Sequence, residues 1–194
     1  MDRNVIVVPD VIETLRLVLR RPRPGDGLAL HEAVSSSMAE LRPWMPWAQS
    51  DSTPGQAEAT VRRMDERFGL REDLVYLMFE RTTAGSEGPL LGGTGLHRID
   101  WSVPRFEIGY WRRAGRAGLG LVSEAVRSMS RMAFDRLHAQ RVEIRLDARN
   151  AASRRVAERA GFTFEGLSRR DAIGADGKVR DTSVYSRVRG IEEP

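Results

Sequence analysis

The sequence predicts a mixed α/β fold with one central sheet. Three observations carry that expectation. Residues 74–112 hold three strand-like runs joined by short turns, which reads as an antiparallel meander. Over residues 119–137 apolar side chains recur at three- and four-residue steps (Val122, Ala125, Val126, Met129, Met132, Ala133), the mark of a helix that buries one face. Val142, Ile144 and Leu146 then alternate with Glu143, Arg145 and Asp147, so a half-buried strand follows the helix.

The first element expected is a strand over residues 14–20, followed by a turn at Arg23-Pro-Gly-Asp26. Asp26 is the residue type that caps a helix, here one running to about Ser36. Leu41-Arg-Pro-Trp-Met-Pro-Trp47 has two prolines and two tryptophans in seven residues, so it is no helix interior. It reads equally as a loop pinned by aromatic burial or as one wall of a cleft. A second helix spans residues 54–69, with Pro54 in its first turn and Gly69 after its end. Strands over 74–80, 90–99 and 105–112 follow; glycines 92, 93 and 95 in the middle one suggest a bulge or a close approach. Beyond the long helix and the 142–146 strand, Asn150 caps a helix over 151–160, with Gly161 just past its end. Strands at 162–167 and 182–188 close the chain around an Asp176-Gly177 turn. The expected order is β-α-α-β-β-β-α-β-α-β-β. We read residues 1–194 as one domain with its core at about 12–190.

Composition narrows the chemistry. There is no cysteine, which excludes disulfides, thiolate metal ligands and a cysteine nucleophile. His31, His97 and His138 lie far apart and form no ligand pair, so no metal is expected. Lys and Arg total 31 against 27 Asp and Glu, a net +4 with the signs interspersed. That balance suits a phosphate-rich small ligand rather than nucleic acid. No apolar run reaches the ~18–20 residues of a membrane span, and the N-terminus lacks the pattern of a signal peptide, so the expected location is cytoplasmic, with no membrane partner.

The strongest chemical signal is the run strand, Gly-rich turn, helix from Glu107 to Ala125. The first N–H groups of a helix have no internal partner, and the dipole puts partial positive charge there. Gly118 and Gly120 let a phosphate approach the backbone, and Arg112, Arg113 and Arg116 add charge. The alternative reading is an ordinary tight turn. No Gly-Lys-Ser/Thr follows, so it is not a Walker loop, and its position after a meander does not suit a dinucleotide fingerprint.

This block resembles motif A of the GNAT superfamily of N-acetyltransferases, and the chain is similar to the RimJ/RimL-type branch along most of its length. Thr14-Leu-Arg-Leu-Val-Leu-Arg20 resembles the branch's opening strand, residues 41–47 its tryptophan loop, and Glu107-Ile-Gly-Tyr-Trp111 its fourth strand. Asn150-Ala-Ala-Ser153, Glu158-Arg-Ala-Gly-Phe162, Phe164-Glu-Gly166 and residues 181–185 continue the match in order. The resemblance implies a sheet that is mixed but mostly antiparallel, with helices on both faces. Its fourth and fifth strands splay so that pantetheine lies between them like an extra strand. It implies transfer of an acetyl or short acyl group from acetyl-CoA to a primary amine, protein N-terminal or small-molecule, by direct attack on the thioester. A homodimer is an assembly open to such a chain. A non-catalytic acyl-CoA sensor is the rival reading.

By the same resemblance the cofactor contacts are Tyr110, Arg112, Arg113, Arg116, Ala117, Gly118, Leu119, Gly120, Leu121, Ser123, Asn150 and Ser153. Trp44, Trp47 and His97 are the candidate substrate contacts. Glu107 is the first candidate to take the amine's proton, with Asp100 and His97 as alternatives, and Ser153 is the candidate to hydrogen-bond the departing thiolate. Two positions depart from the family pattern. Gly115 stands where the cofactor turn usually begins with Gln or Arg, and Ala157 stands where many members carry an acidic tyrosine. Glu13, Glu40, Asp51 and Glu107 are the acids expected to line the cleft if the acceptor is cationic.

Overall fold

The β-propensity of the chain is concentrated where apolar side chains alternate, and those segments assemble into a single sheet. The computed structural model describes residues 6–193. Eight strands run in spatial order β1 (Val11–Glu13), β2 (Leu17–Arg20), β3 (Leu74–Arg81), β4 (Glu87–Asp100), β5 (Arg105–Arg112), β6 (Arg141–Asp147), β8 (Val179–Val188) and β7 (Thr163–Ile173). Every neighbouring pair is antiparallel except β5 and β6, which run parallel. The helices are α1 (Gly27–Ser35), α2 (Met38–Leu41), α3 (Pro54–Gly69), α4 (Leu121–Leu137) and α5 (Ala151–Arg159). None is long and apolar enough to cross a membrane.

Two apolar layers sandwich the sheet. On one face α4 lays Val126, Met129, Ala133 and Leu137 against Leu19, Tyr76, Leu96, Phe106 and Ile144, all at or below 2% exposure. On the other face α1 and α3 set Leu30, Ala33 and Val61 on Val18, Leu77, Phe79 and Leu90. β6 shows the strand period plainly: Val142, Ile144 and Leu146 are buried, and the residues between them are half-exposed.

Local signals set the ends of several elements. Thr53 and Gln56 form a reciprocal capping box at the start of α3, with Pro54 in its first turn. Asn150 Oδ1 accepts the Ser153 N–H at 2.9 Å and caps α5. Gly161 and Gly177 take positive φ where the chain turns.

Elsewhere tertiary contacts redirect the chain. The expected opening strand at 14–20 is a hairpin, β1 and β2, because Thr14 turns the backbone by binding Leu17 and Glu124. Residues 38–41 form the short α2 ahead of the tryptophan loop. The 121–137 helix begins two residues later than expected, because Gly118 and Gly120 adopt positive φ. The last two strands are longer than their apolar cores suggest: a bulged hairpin carries β7 out to Ile173. Asp26 sits at the N-cap of α1 but does not cap it. Its carboxylate instead takes both Nη atoms of Arg20, at 2.7 and 2.8 Å.

Arg20 is 4% exposed, contacts Glu87 at 2.8 Å and lies over the Phe79 ring. Removing one partner of such a pair strands a buried charge. We expect Asp26→Asn to cost about 1–3 kcal/mol by urea denaturation at neutral pH, since Glu87 still neutralises part of the charge. Desolvation would raise the Asp26 pKa, but Arg20 and the Arg23 N–H outweigh it and hold it below the usual carboxylate range. Its stabilisation is therefore complete above the unfolded-state pKa. The difference between wild type and variant should vanish as pH falls through the lower folded value.

Candidate active site

β5 and β6 pair for only three positions, Arg105–Glu107 against Arg141–Glu143. Beyond them the strands part. β5 keeps its ladder with β4 and β6 keeps its ladder with β8 along their lengths. The gap opens into a cleft of about 730 Å³ bordered by Ile108 to Trp111 on one side and Ile144 to Asp147 on the other. Backbone groups of β5 that face the gap have no strand to meet, a situation that an extended amide-bearing ligand relieves.

The strand period divides β5 between two faces. Phe106, Ile108 and Tyr110 belong to the α4 side, whereas Trp111 joins the α1–α3 side. On the α4 side the Tyr110 hydroxyl lies 2.8 Å from Ser153 Oγ and donates to the Ser153 carbonyl oxygen at 3.1 Å. Burial pushes the Tyr110 pKa up to about 12, so the phenol stays protonated at neutral pH. Asn150 spends its carbonyl oxygen on the α5 cap and keeps its amide N–H groups to offer.

On the opposite side Glu107 faces His97 across the β4–β5 ladder. Its side chain is 17% exposed, and Oε2 is buried without a hydrogen-bond partner among the described residues. Arg98 Nε stands 3.4 Å away, a charge contact without hydrogen-bond alignment. Desolvation raises the Glu107 pKa and nearby Glu143 adds to the rise, against the pull of Arg98, Arg145 and His97. His97 is itself held: Nδ1 lies 2.5 Å from Asp73 Oδ1, and Arg67 backs that carboxylate at 3.5 Å.

The tryptophan loop closes one end of this side. Trp47 meets Trp111 edge-on at 5.9 Å between centroids, and Trp44, Trp47 and His97 all border the cleft. Of the acids expected there, only Glu107 does. Glu13 pairs with Arg81, Glu40 with Arg112 and Asp51 with Arg42, all away from the cleft. Asp100, an alternative base, is spent on its own turn, accepting from Ser102 and pairing with Arg105. Asp73 carries no sequence signal; only its 24-residue-distant contact with His97 reveals it.

The Gly-rich turn follows β5 directly. Gly115, Gly118 and Gly120 have φ of +74°, +77° and +74°, and a Cβ at Gly115 or Gly118 would meet nothing within 4 Å. The turn's surface is thus open, and α4 starts at Gly120 with no side-chain cap, so the N–H groups of Leu121, Val122 and Ser123 face outward unpartnered by the helix. Ser123 is itself buried, in the first turn of α4. Arg16 braces the turn: it donates to the Leu119 carbonyl at 2.8 Å and to Glu124, which also receives Thr14. Arg112 is tied to Glu40 and to the Arg113 carbonyl, and Arg116 reaches Glu80 at 3.7 Å. Arg113 has no carboxylate within 4 Å among the described residues. These features fit a pyrophosphate at the turn and a pantetheine arm in the gap.

Comparison with known proteins agrees with this geometry. Residues 16–163 match the model of the acetyltransferase (GNAT) domain. YdaF of Bacillus subtilis strain 168, named as a candidate ribosomal N-acetyltransferase, is 29% identical over 178 residues, covering 89% of this chain and 91% of that protein. YjcK of the same organism, named a probable N-acetyltransferase, is 41% identical over 134 residues, covering 69% and 71%. Among solved structures, the microcin C7 self-immunity acetyltransferase MccE, in complex with acetyl-CoA and AMP, superposes with a TM-score of 0.84 at 21% identity, covering 95% of this chain and 99% of that one. The chain belongs to the GNAT family of acetyltransferases.

Proposed function

We propose that the chain transfers the acetyl group of acetyl-CoA to a primary amine, either a protein N-terminus or a small molecule, by direct attack on the thioester. The observation that carries this reading is the β5–β6 gap, with an open Gly-rich turn at its end and hydrogen-bonded hydroxyl and imidazole groups on the two faces of β5. Acetyl-CoA supplies an activated acyl group as a thioester when bound. The N–H groups from Ala117 to Ser123, with Arg113, hold the pyrophosphate, and the Asn150 amide holds the pantetheine arm. Glu107 draws the cationic amine to the gap and takes a proton from its nitrogen, directly or through water. Ser153, beside the protonated Tyr110, donates a hydrogen bond to the departing thiolate, which takes its proton from solvent. The missing family tyrosine at position 157 is thereby replaced from β5. Trp44 and Trp47 form the wall that meets the rest of the acceptor. Relatives named for ribosomal N-acetylation favour a protein N-terminus as the first acceptor to try.

Thiol release from acetyl-CoA, measured over a panel of N-terminal peptides and small amines, tests the reading directly. Tight CoA binding with no release on any amine would leave a sensor instead. At a hundredfold excess over its Kd, CoA should stabilise the fold by about 2.7 kcal/mol, a rise of roughly 5–10 °C in Tm. Gly120→Val should raise the KM for acetyl-CoA about tenfold or more and abolish most of that thermal shift, because a β-branched residue resists positive φ and covers the N–H groups.

Glu107→Gln separates function from stability. We expect kcat/KM to fall roughly 10²-fold or more while Tm rises. The sign follows from the raised pKa: ionising a buried carboxylate costs the native state free energy as pH climbs past the unfolded value, and Gln removes that cost. A variant that lost activity and stability together would reduce Glu107 to a structural residue. Ser153→Ala should lower kcat about tenfold to a hundredfold at nearly unchanged KM for acetyl-CoA, since its hydroxyl acts on the leaving group.

A further inference from the structure

An amine that arrives as an ammonium must shed two protons to become an amide, one before attack and one as the C–N bond forms. Glu107 accounts for one of them. The structure assigns the other to His97: held by Asp73, its free Nε2 takes the first proton from the incoming ammonium and delivers a neutral amine to the gap. This rests on the acyl-transfer reading above. In the step, an N–H bond breaks, its electron pair stays on the amine nitrogen, and an Nε2–H bond forms.

Four observations carry it. Asp73 accepts at 2.5 Å from Nδ1, and a carboxylate has no proton to give, so neutral His97 is the Nδ1–H tautomer with a lone pair on Nε2. The Nε2 end of the imidazole lies against two cross-strand glycines, Gly95 and Gly109. A Cβ on Gly109 would come within 2.8 Å of Nε2 and one on Gly95 within 3.0 Å, so these positions leave room for the ring and nothing more. Nε2 therefore sits above the backbone of Gly109, on the strand that borders the gap. Finally, Arg98, the next residue, adopts φ +47° at a register shift that ends the regular ladder. A non-glycine residue held there is strained, and such strain collects where a side chain must be aimed.

The charged groups around the ring suit a base. Asp73 approaches from the segment before β3, with Arg67 of α3 behind it, and Glu107 faces it from β5. Arg98 is engaged by Glu107. Two carboxylates thus attend the imidazolium that forms. Asp73 acts through His97 and is a positioning residue.

The test uses two acceptors with saturating acetyl-CoA at pH 7: propylamine, charged at that pH, and 2,2,2-trifluoroethylamine, already neutral. His97→Asn should lower kcat/KM for propylamine by about 10²-fold or more and for the fluorinated amine by less than about fivefold. Glu107→Gln should lower both. Asp73→Asn should show the His97 pattern more weakly, with Asp73→Glu restoring part of the rate. Independently of turnover, spectra of protein labelled with ¹⁵N-histidine should show neutral His97 with its proton on Nδ1, moving toward Nε2–H in Asp73→Asn. Equal losses on both amines for His97→Asn, or an Nε2–H tautomer in the wild type, would overturn the assignment. If wild-type protein with acetyl-CoA bound released no thiol with these amines or with any N-terminal peptide of the panel above, the acyl-transfer reading would fall and the base role with it, whereas the tautomer would still report the Asp73–His97 pair.

Discussion

The constraint on which this molecule turns is the three-residue limit on pairing between β5 and β6. Parallel neighbours in a sheet normally continue side by side, because each unpaired buried backbone group costs free energy. Here each strand is anchored on its far side, β5 by β4 and β6 by β8, so both can diverge without losing their place. The divergence leaves a slot of strand width with donors and acceptors along its walls. A chain of amides fits that slot as a missing strand would. The cavity follows from that early separation, and the proposed places of the cofactor arm and the acceptor rest on it.

The turn that ends the slot is costly on its own. Three glycines at positive φ and a helix that starts without a side-chain cap give up backbone entropy and leave donors unmet. The β1–β2 hairpin offsets part of this. Thr14 and Arg16 grip Glu124 in the first turn of α4, and Arg16 also holds the Leu119 carbonyl. Glu124 at a helix N-terminus is favourable by itself, and its pKa is lowered despite burial by these same partners. The opening segment thus serves the cofactor turn from more than a hundred residues away, with none of its side chains in the cleft.

Signals carried by neighbouring residues were legible in the sequence. The glycine turn, the Asn150 cap, Pro54 at the start of α3 and the helical period of α4 each need only a few consecutive residues, and each appears where it was read. The resemblance carried further, to a splayed sheet. What escaped is what only folding brings together. Asp73 meets His97 across 24 residues and Tyr110 meets Ser153 across 43. Asp26 looked like a cap because its local context is a cap, yet a buried arginine outbid the helix for its carboxylate. Arg112 looked like a phosphate ligand because it precedes the turn, but Glu40 holds its guanidinium.

The strand period also solves a chemical difficulty. Acyl transfer to an amine needs groups that accept protons and a group that donates one, all within reach of the same few atoms. Glu107 and Tyr110 are three residues apart on β5, so their side chains leave the strand on opposite faces. Glu107, with His97 across the ladder, lies on the α1–α3 side, while Tyr110 with Ser153 lies on the α4 side. The strand that separates them is also the strand left half-paired by β6. In the proposed reaction a thioester bound in the gap would therefore meet the accepting groups from one face of β5 and the hydroxyl pair from the other.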